Sequence, residues 1–209
     1  MVPDTFFCLT FFCLRQKLAD PALTRIGLNI VRSMRKQIHV GLDSQCYTYL
    51  IDAMAGLDEP TDDIADQRIA LFRILLYREG GLYISPTVRA EYQRIRDAAR
   101  AEFHENWTTL FPETQPINRS RIDDRTKEFL ASHSDAGDCR ILAEAEDAGL
   151  SVLLSFDSKF IAHLRSKTLV SIVRPLDFWT SLNIPRGANP VMAPRFDNPM
   201  AAQSWWRWI

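Results

Sequence analysis

From residue 37 onward the apolar positions switch between two periods. Gln37–Leu42 is a short apolar-rich run that reads as a strand, and Ser44–Ala55 then sets Tyr47, Leu50, Ile51 and Met54 at helical spacing before Gly56. The acidic stretch GLDEPTDDIADQ reads as a loop. Residues 64–79 form an amphipathic pattern through Ile69, Phe72, Leu75 and Leu76, stopped by Gly80 and Gly81. Leu82–Ile84 predicts a short strand, and Ser85-Pro86 a helix start with proline in the first turn. That helix is expected from Thr87 to about His104, with Val88, Tyr92, Ile95 and Ala99 on one face, and residues 106–120 are expected to be loop. Helices over Asp123–Ser132 and Asp138–Ala148 follow, the second closed by Gly149. Ser151–Asp157 is a buried strand, Ser158–Arg165 a short helix and Leu169–Val173 the next strand. A small helix after Pro175 holds Phe178 and Trp179. Strands alternating with helices imply a mainly parallel sheet covered on both faces, in one α/β domain.

This regular region spans residues 34–184, and 185–209 form a tail rich in Pro and Asn that ends in SWWRWI. Residues 1–33 lack that logic. Their apolar run, Phe6–Leu14, is too short to span a bilayer, and Asp4 before it with Arg15 and Lys17 after it is the reverse of a secretory signal. MRKQIHVGLD places Met34 just before the first strand, so translation is expected to start there rather than at Met1, leaving 1–33 as a non-native or disordered extension.

The formal net charge of −1 argues against a non-specific nucleic-acid coat but leaves room for an enzyme with an acidic metal site. The four cysteines form no CxxC pair and lie near no histidine at zinc-ligand spacing, which favours reduced thiols and a cytoplasmic location. Phosphate-loop, dinucleotide, GxSxG and HExxH motifs are all missing.

Four carboxylates occupy unusual places. Asp43 and Asp157 each close an apolar strand at its carboxyl end, where open α/β sheets bind ligands. At about 100° per residue, Asp138 lies between Leu142 and Ala145 on its helix, and Glu91 shares a sector with Ile95 and Ala98. Each has an ordinary reading: Asp43 and Asp157 as helix caps, Asp138 in a first-turn cluster with Asp135, and Glu91 paired with Arg94 or Lys127. Taken together they suit a hard divalent cation, Mg²⁺ or Mn²⁺, which can hold a phosphodiester and activate water.

The order of these pieces resembles the PIN-domain family of metal-dependent ribonucleases, which includes the VapC-type toxins. The resemblance is carried by VGLDSQCYTYL, YISPTVRAEYQRI, DCRILAEAEDAGLSVLLSFDSKF and VRPLDFW, over roughly residues 36–180. It implies a three-layer α/β/α fold with Asp43, Glu91, Asp138 and Asp157 as metal ligands and catalytic residues, and Ser44 and Ser155 in support. It also implies Mg²⁺- or Mn²⁺-dependent endonucleolytic hydrolysis of single-stranded RNA, as the toxin of a pair with an antitoxin bound across the acidic site. Asp135 and Glu144 are weaker candidates for the acidic ring. The region 104–133 and the tail exceed what a minimal domain of this kind needs.

Lys159, Arg165 and Arg121, with Arg119 and Arg125, are candidates for phosphate contacts. Arg89, Arg96 and Arg100 point away from Glu91 on the expected helix and read as a solvated face. Trp205, Trp206 and Trp208 suit base stacking, but anchoring of the tail on the domain, or in a homodimer, is preferred. Two other functions compete. One is an inactive PIN-like module for protein or RNA binding, which would not need all four acids. The other is a Mg²⁺-dependent phosphoaspartyl phosphatase with Asp43 as nucleophile, which wants an aspartate where Gln45 stands.

Overall fold

The computed structural model describes residues 12–14, 38–56 and 58–209. The expectation for residues 1–33 lies outside the described residues, except for strand β1 (Phe12–Leu14), which pairs antiparallel with β6 (Met192–Pro194). Four further strands, β2 (Val40–Leu42), β3 (Leu82–Tyr83), β4 (Val152–Leu154) and β5 (Ser171–Val173), form a sheet of order β3-β2-β4-β5 with every pairing parallel. All three residues of β2 and of β4 are buried. Successive strand residues point to opposite faces, so burial of each one means that both faces are covered. The molecule is a three-layer α/β/α fold.

The covering helices are α1 (Ser44–Gly56), α2 (Ala65–Tyr77), α3 (Pro86–Tyr92), α4 (Ala98–Thr108), α5 (Arg119–Leu130), α6 (Ala136–Asp147), α7 (Ser158–Leu164) and α8 (Pro175–Ser181). Among the described residues, none is long and apolar enough to cross a membrane.

The expected helix over 87–104 is two helices. It stops at Tyr92, and the Asp97 side chain accepts the Arg100 amide at 2.7 Å to start α4. An N-cap carboxylate offers the backbone a competing start, which an apolar pattern running through the break does not show. The arginine stripe therefore does not exist. Arg89 pairs with Glu113 at 2.7 Å, while Arg100 on the second helix pairs with Asp52 at 2.7 Å. Residues 106–120 are also less loop-like than expected. After α4 ends at Thr108, the Ile84 amide donates to the Pro112 carbonyl and the Thr114 amide to Ile84, extending the β3 edge.

The 104–133 region belongs to the core, which takes in Trp107, Phe111, Ile122 and Phe129. Within it, Tyr47 reaches from α1 to donate its hydroxyl to the His104 carbonyl at 3.1 Å and to share a 2.7 Å bond with Thr108. Helix α6 is tied to α5 by the Arg125 guanidinium, which grips the Glu146 carboxylate at 2.7 and 2.9 Å.

Residues 185–209 fold back onto α2. Trp205 and Trp206 are buried, and the Trp205 ring lies 5.1 Å from that of Phe72. Arg73 donates to the main-chain carbonyls of Trp205, Trp206 and Arg207 at 3.1–3.3 Å, and the Tyr77 hydroxyl accepts from the Trp208 amide. One guanidinium thus clamps three consecutive carbonyls of the tail through charge-assisted hydrogen bonds, two of them part-buried. The substitution Arg73→Met is expected to lower the unfolding free energy by about 2 kcal/mol, with red-shifted tryptophan emission and faster tryptic cleavage at Arg207. Unchanged emission and cleavage would show that the tail is held by other contacts.

Candidate metal centre

The parallel pairing of β2 with β4 builds this centre. Leu42 stands opposite Leu154, and one residue further the Asp43 amide donates to the Leu154 carbonyl at 3.1 Å. The ladder thus carries Asp43 past the end of β2 and sets it beside Ser155. The Ser155 hydroxyl, fully buried, accepts the Asp157 amide at 3.0 Å and donates to the Asp43 carboxylate. One serine therefore joins the two aspartates that leave the carboxyl ends of the central strands.

Each aspartate also caps a helix. Asp43 Oδ1 accepts the Cys46 amide at 2.6 Å at the start of α1, and Asp157 Oδ1 accepts the amides of Lys159 and Phe160 at 2.6 and 3.1 Å at the start of α7. Capping uses Oδ1 in both cases. The second oxygen of Asp157 has no part in its cap.

Asp138 arrives from the first turn of α6, whose start is capped by Asp135 through the amides of Gly137 and Asp138. His133 sits at the corner between α5 and α6, with its Nε2 2.9 Å from Asp138 Oδ2. His133, Asp138 and Asp157 each present a donor atom, and these atoms lie within 4.8 Å of one another. Glu91 stands apart from this tight group. Its Oε1 lies only 2.6 Å from where a Cβ on Gly137 would be, so the absence of a side chain there makes room for its carboxylate. Glu91 therefore flanks Asp138 across the N-terminus of α6.

The electrostatics fit a cation site. Asp43 is almost fully buried, and desolvation pushes its pKa up to about 6, against the opposing hydrogen bonds from Ser155 and Cys46; the Asp138 charge adds to the rise. Asp138 is also raised, first by burial and then by Asp135 and Asp157, with the His133 bond pulling the other way. Neither lysine nor arginine is among the main influences on either group. Oxygen donors that desolvate and repel one another are stabilised by a hard divalent cation, and this donor set fits Mg²⁺ or Mn²⁺.

Ser44 lines a cleft of about 290 Å³ together with Thr48, Tyr49, Glu91, Tyr92 and Arg100, and its hydroxyl oxygen is buried without a hydrogen-bond partner. Lys159, Arg165 and Arg121 are all exposed, the first two on or just after the helix that Asp157 caps. Arg125 is committed to Glu146 and Glu128. Glu144 is no part of the centre: it is buried and accepts the amide and hydroxyl of Thr87 at 3.1 and 2.9 Å, tying α6 to α3. His133 was not among the candidates from sequence. The only signal was a histidine five residues before an acidic candidate, a spacing that means little until the helix–helix corner is known. Neither a scan against protein-family models nor a search of curated proteins finds a match to this chain.

A carboxyl group whose folded pKa lies above its unfolded value favours folding when protonated. The unfolded value here is 3.8 and the folded value about 6, so stability falls as pH rises between them. Above about pH 6 the ionised group costs about 2–3 kcal/mol, at 1.36 kcal/mol per unit of pKa. In metal-free protein, Asp43→Asn is therefore expected to raise the melting temperature by several degrees at pH 7.5, with the gain vanishing towards pH 4. Thermal melts in chelator across this range provide the check. Added Mn²⁺ should stabilise the wild type and leave the variant nearly unchanged.

Proposed function

We propose that this protein is a Mg²⁺- or Mn²⁺-dependent endoribonuclease that hydrolyses phosphodiester bonds of single-stranded RNA. The observation that carries the proposal is the gathering of donor atoms of His133, Asp138 and Asp157 within 4.8 Å of one another, with Asp43 buried at the carboxyl end of β2 and joined to Asp157 through Ser155. The resemblance of the motif order to PIN-domain ribonucleases supports the same reading. A divalent cation held by these carboxylates would supply Lewis acidity for an attacking water and for the leaving oxygen.

The chain's own residues have separable roles in this reading. Asp43, Asp138 and Asp157 hold the cation, and Glu91 adds a fourth carboxylate from across the start of α6. Ser155 fixes the relative placement of Asp43 and Asp157 through its two hydrogen bonds. The cleft beside Glu91 lies next to these carboxylates, and Lys159 and Arg165 are exposed on and just after the helix that Asp157 caps, where they would meet phosphates. An inactive binding module would have no use for mutually repelling carboxylates held in a desolvated corner. The toxin role carried by the resemblance would add a protein antitoxin that covers this cleft.

The decisive experiment uses end-labelled single-stranded RNA with Mn²⁺, Mg²⁺ or chelator. Cleavage is expected with either ion and none in chelator, and Asp43→Asn and Asp157→Asn are each expected to lower the rate at least about 100-fold while retaining the fold. Wild-type rates in both variants would sink the proposal. A finer test is Gly137→Ala. Alanine favours a helix by up to about 1 kcal/mol over glycine, yet its Cβ would meet Glu91 Oε1 at 2.6 Å. Helix α6 should survive while the displaced Glu91 lowers cleavage about tenfold.

A further inference from the structure

We infer that His133 is a nitrogen ligand of the cation at this centre and biases the site towards Mn²⁺ over Mg²⁺. The inference rests on the metal-site reading above and extends it beyond carboxylates. His133 is 7% exposed, and its Nε2 lies 2.9 Å from Asp138 Oδ2. Neighbouring ligands of an octahedral ion with bonds of about 2.1 Å lie about 3 Å apart, and opposite ones about 4.2 Å. The 2.9 Å separation matches one edge of such a polyhedron. The 4.8 Å within which the donors of His133, Asp138 and Asp157 fall is little more than its full width.

The surroundings of the ring support ligation independently. A metal-bound imidazole usually donates its other N–H to a partner that fixes its orientation. Here the Nδ1 of His133 faces the Nδ1 of His163 at 3.4 Å, and His163 is exposed, so its own Nε2–H can be solvated. The ring of His133 packs 5.5 Å from that of Phe160, and its main-chain carbonyl accepts from the Cys139 thiol. The first contact packs the imidazole ring beside Asp138, and the second anchors the backbone that carries it. With the proton on Nδ1, the Nε2 lone pair is free for a cation; with the proton on Nε2, the ring would only donate to Asp138. Imidazole adds more to the affinity for Mn²⁺ than for Mg²⁺, which prefers oxygen donors and its own water.

The test uses the full chain loaded with Mn²⁺. Continuous-wave electron paramagnetic resonance measures occupancy, and the pulsed experiment reads coupling of the manganese spin to ¹⁴N. Wild-type protein should show ¹⁴N coupling that is lost in His133→Gln and kept in His163→Ala. The Mn²⁺ affinity of His133→Gln should fall at least about tenfold, and its Mg²⁺ affinity, read by competition, less than about twofold. Mn²⁺ binding that needs Asp43 but shows no ¹⁴N coupling in wild-type protein would overturn the inference and leave His133 as a positioning residue for Asp138. Failure of the wild-type protein to bind Mn²⁺ at all would overturn the metal-site reading itself, and this inference with it.

Discussion

The single hydrogen bond from the Asp43 amide to the Leu154 carbonyl governs where the buried carboxylate of Asp43 lies. It prolongs the β2–β4 ladder one residue beyond the last paired strand position. It therefore converts strand register into the placement of a carboxylate beside Ser155. A slip of one residue would turn every side chain of β2 to the opposite face and carry Asp43 away from the centre. Register is hard to slip here because Val40 and Leu42 are buried in a sheet covered on both sides. The cost of burying Asp43 is thus borne by the packing of the two strands that position it.

Capping, which looks like a rival to the proposed ligation by the same aspartates, is compatible with it. Asp43 and Asp157 each give Oδ1 to amides at the start of a helix. The helix N-terminus fixes the rotamer of the carboxylate and partly offsets its charge, while the geometry of a cap directs the side chain to the carboxyl end of the preceding strand. Asp135 shows the limit of the argument. It caps α6 in the same way, yet it follows no strand and influences the centre mainly through its charge on Asp138.

Much of this architecture was legible in the order of residues. The four parallel strands and the helices that follow them are marked by apolar runs of the right length, and Asp43 and Asp157 stand out because each ends such a run. The broken helix after Tyr92 was not legible, because a continuous apolar face and a capping aspartate at Asp97 make competing claims that only the packed structure resolves. For the same reason the wheel that aligned Glu91 with Ile95 and Ala98 had no helix to rest on. Glu91 instead lies beside the N-terminus of α6, in the space left by Gly137. His133 was hidden for a different reason: its approach to Asp138 is set by the turn between two helices, and no periodicity encodes that angle.

The clasp of Arg73 on residues 205–207 has a consequence for how the molecule is made. Helix α2 finishes early in the sequence, but its face against Trp205 and Trp206 stays uncovered until those residues have left the ribosome. A nascent chain that has already emitted Asp43, Glu91, Asp138 and Asp157 therefore still exposes an apolar surface. Long-range closure of this kind delays the last step of folding and gives chaperones a window for capture. Under the ribonuclease proposal, the same delay would keep newly made copies incompletely assembled while they are still near the message that encodes them.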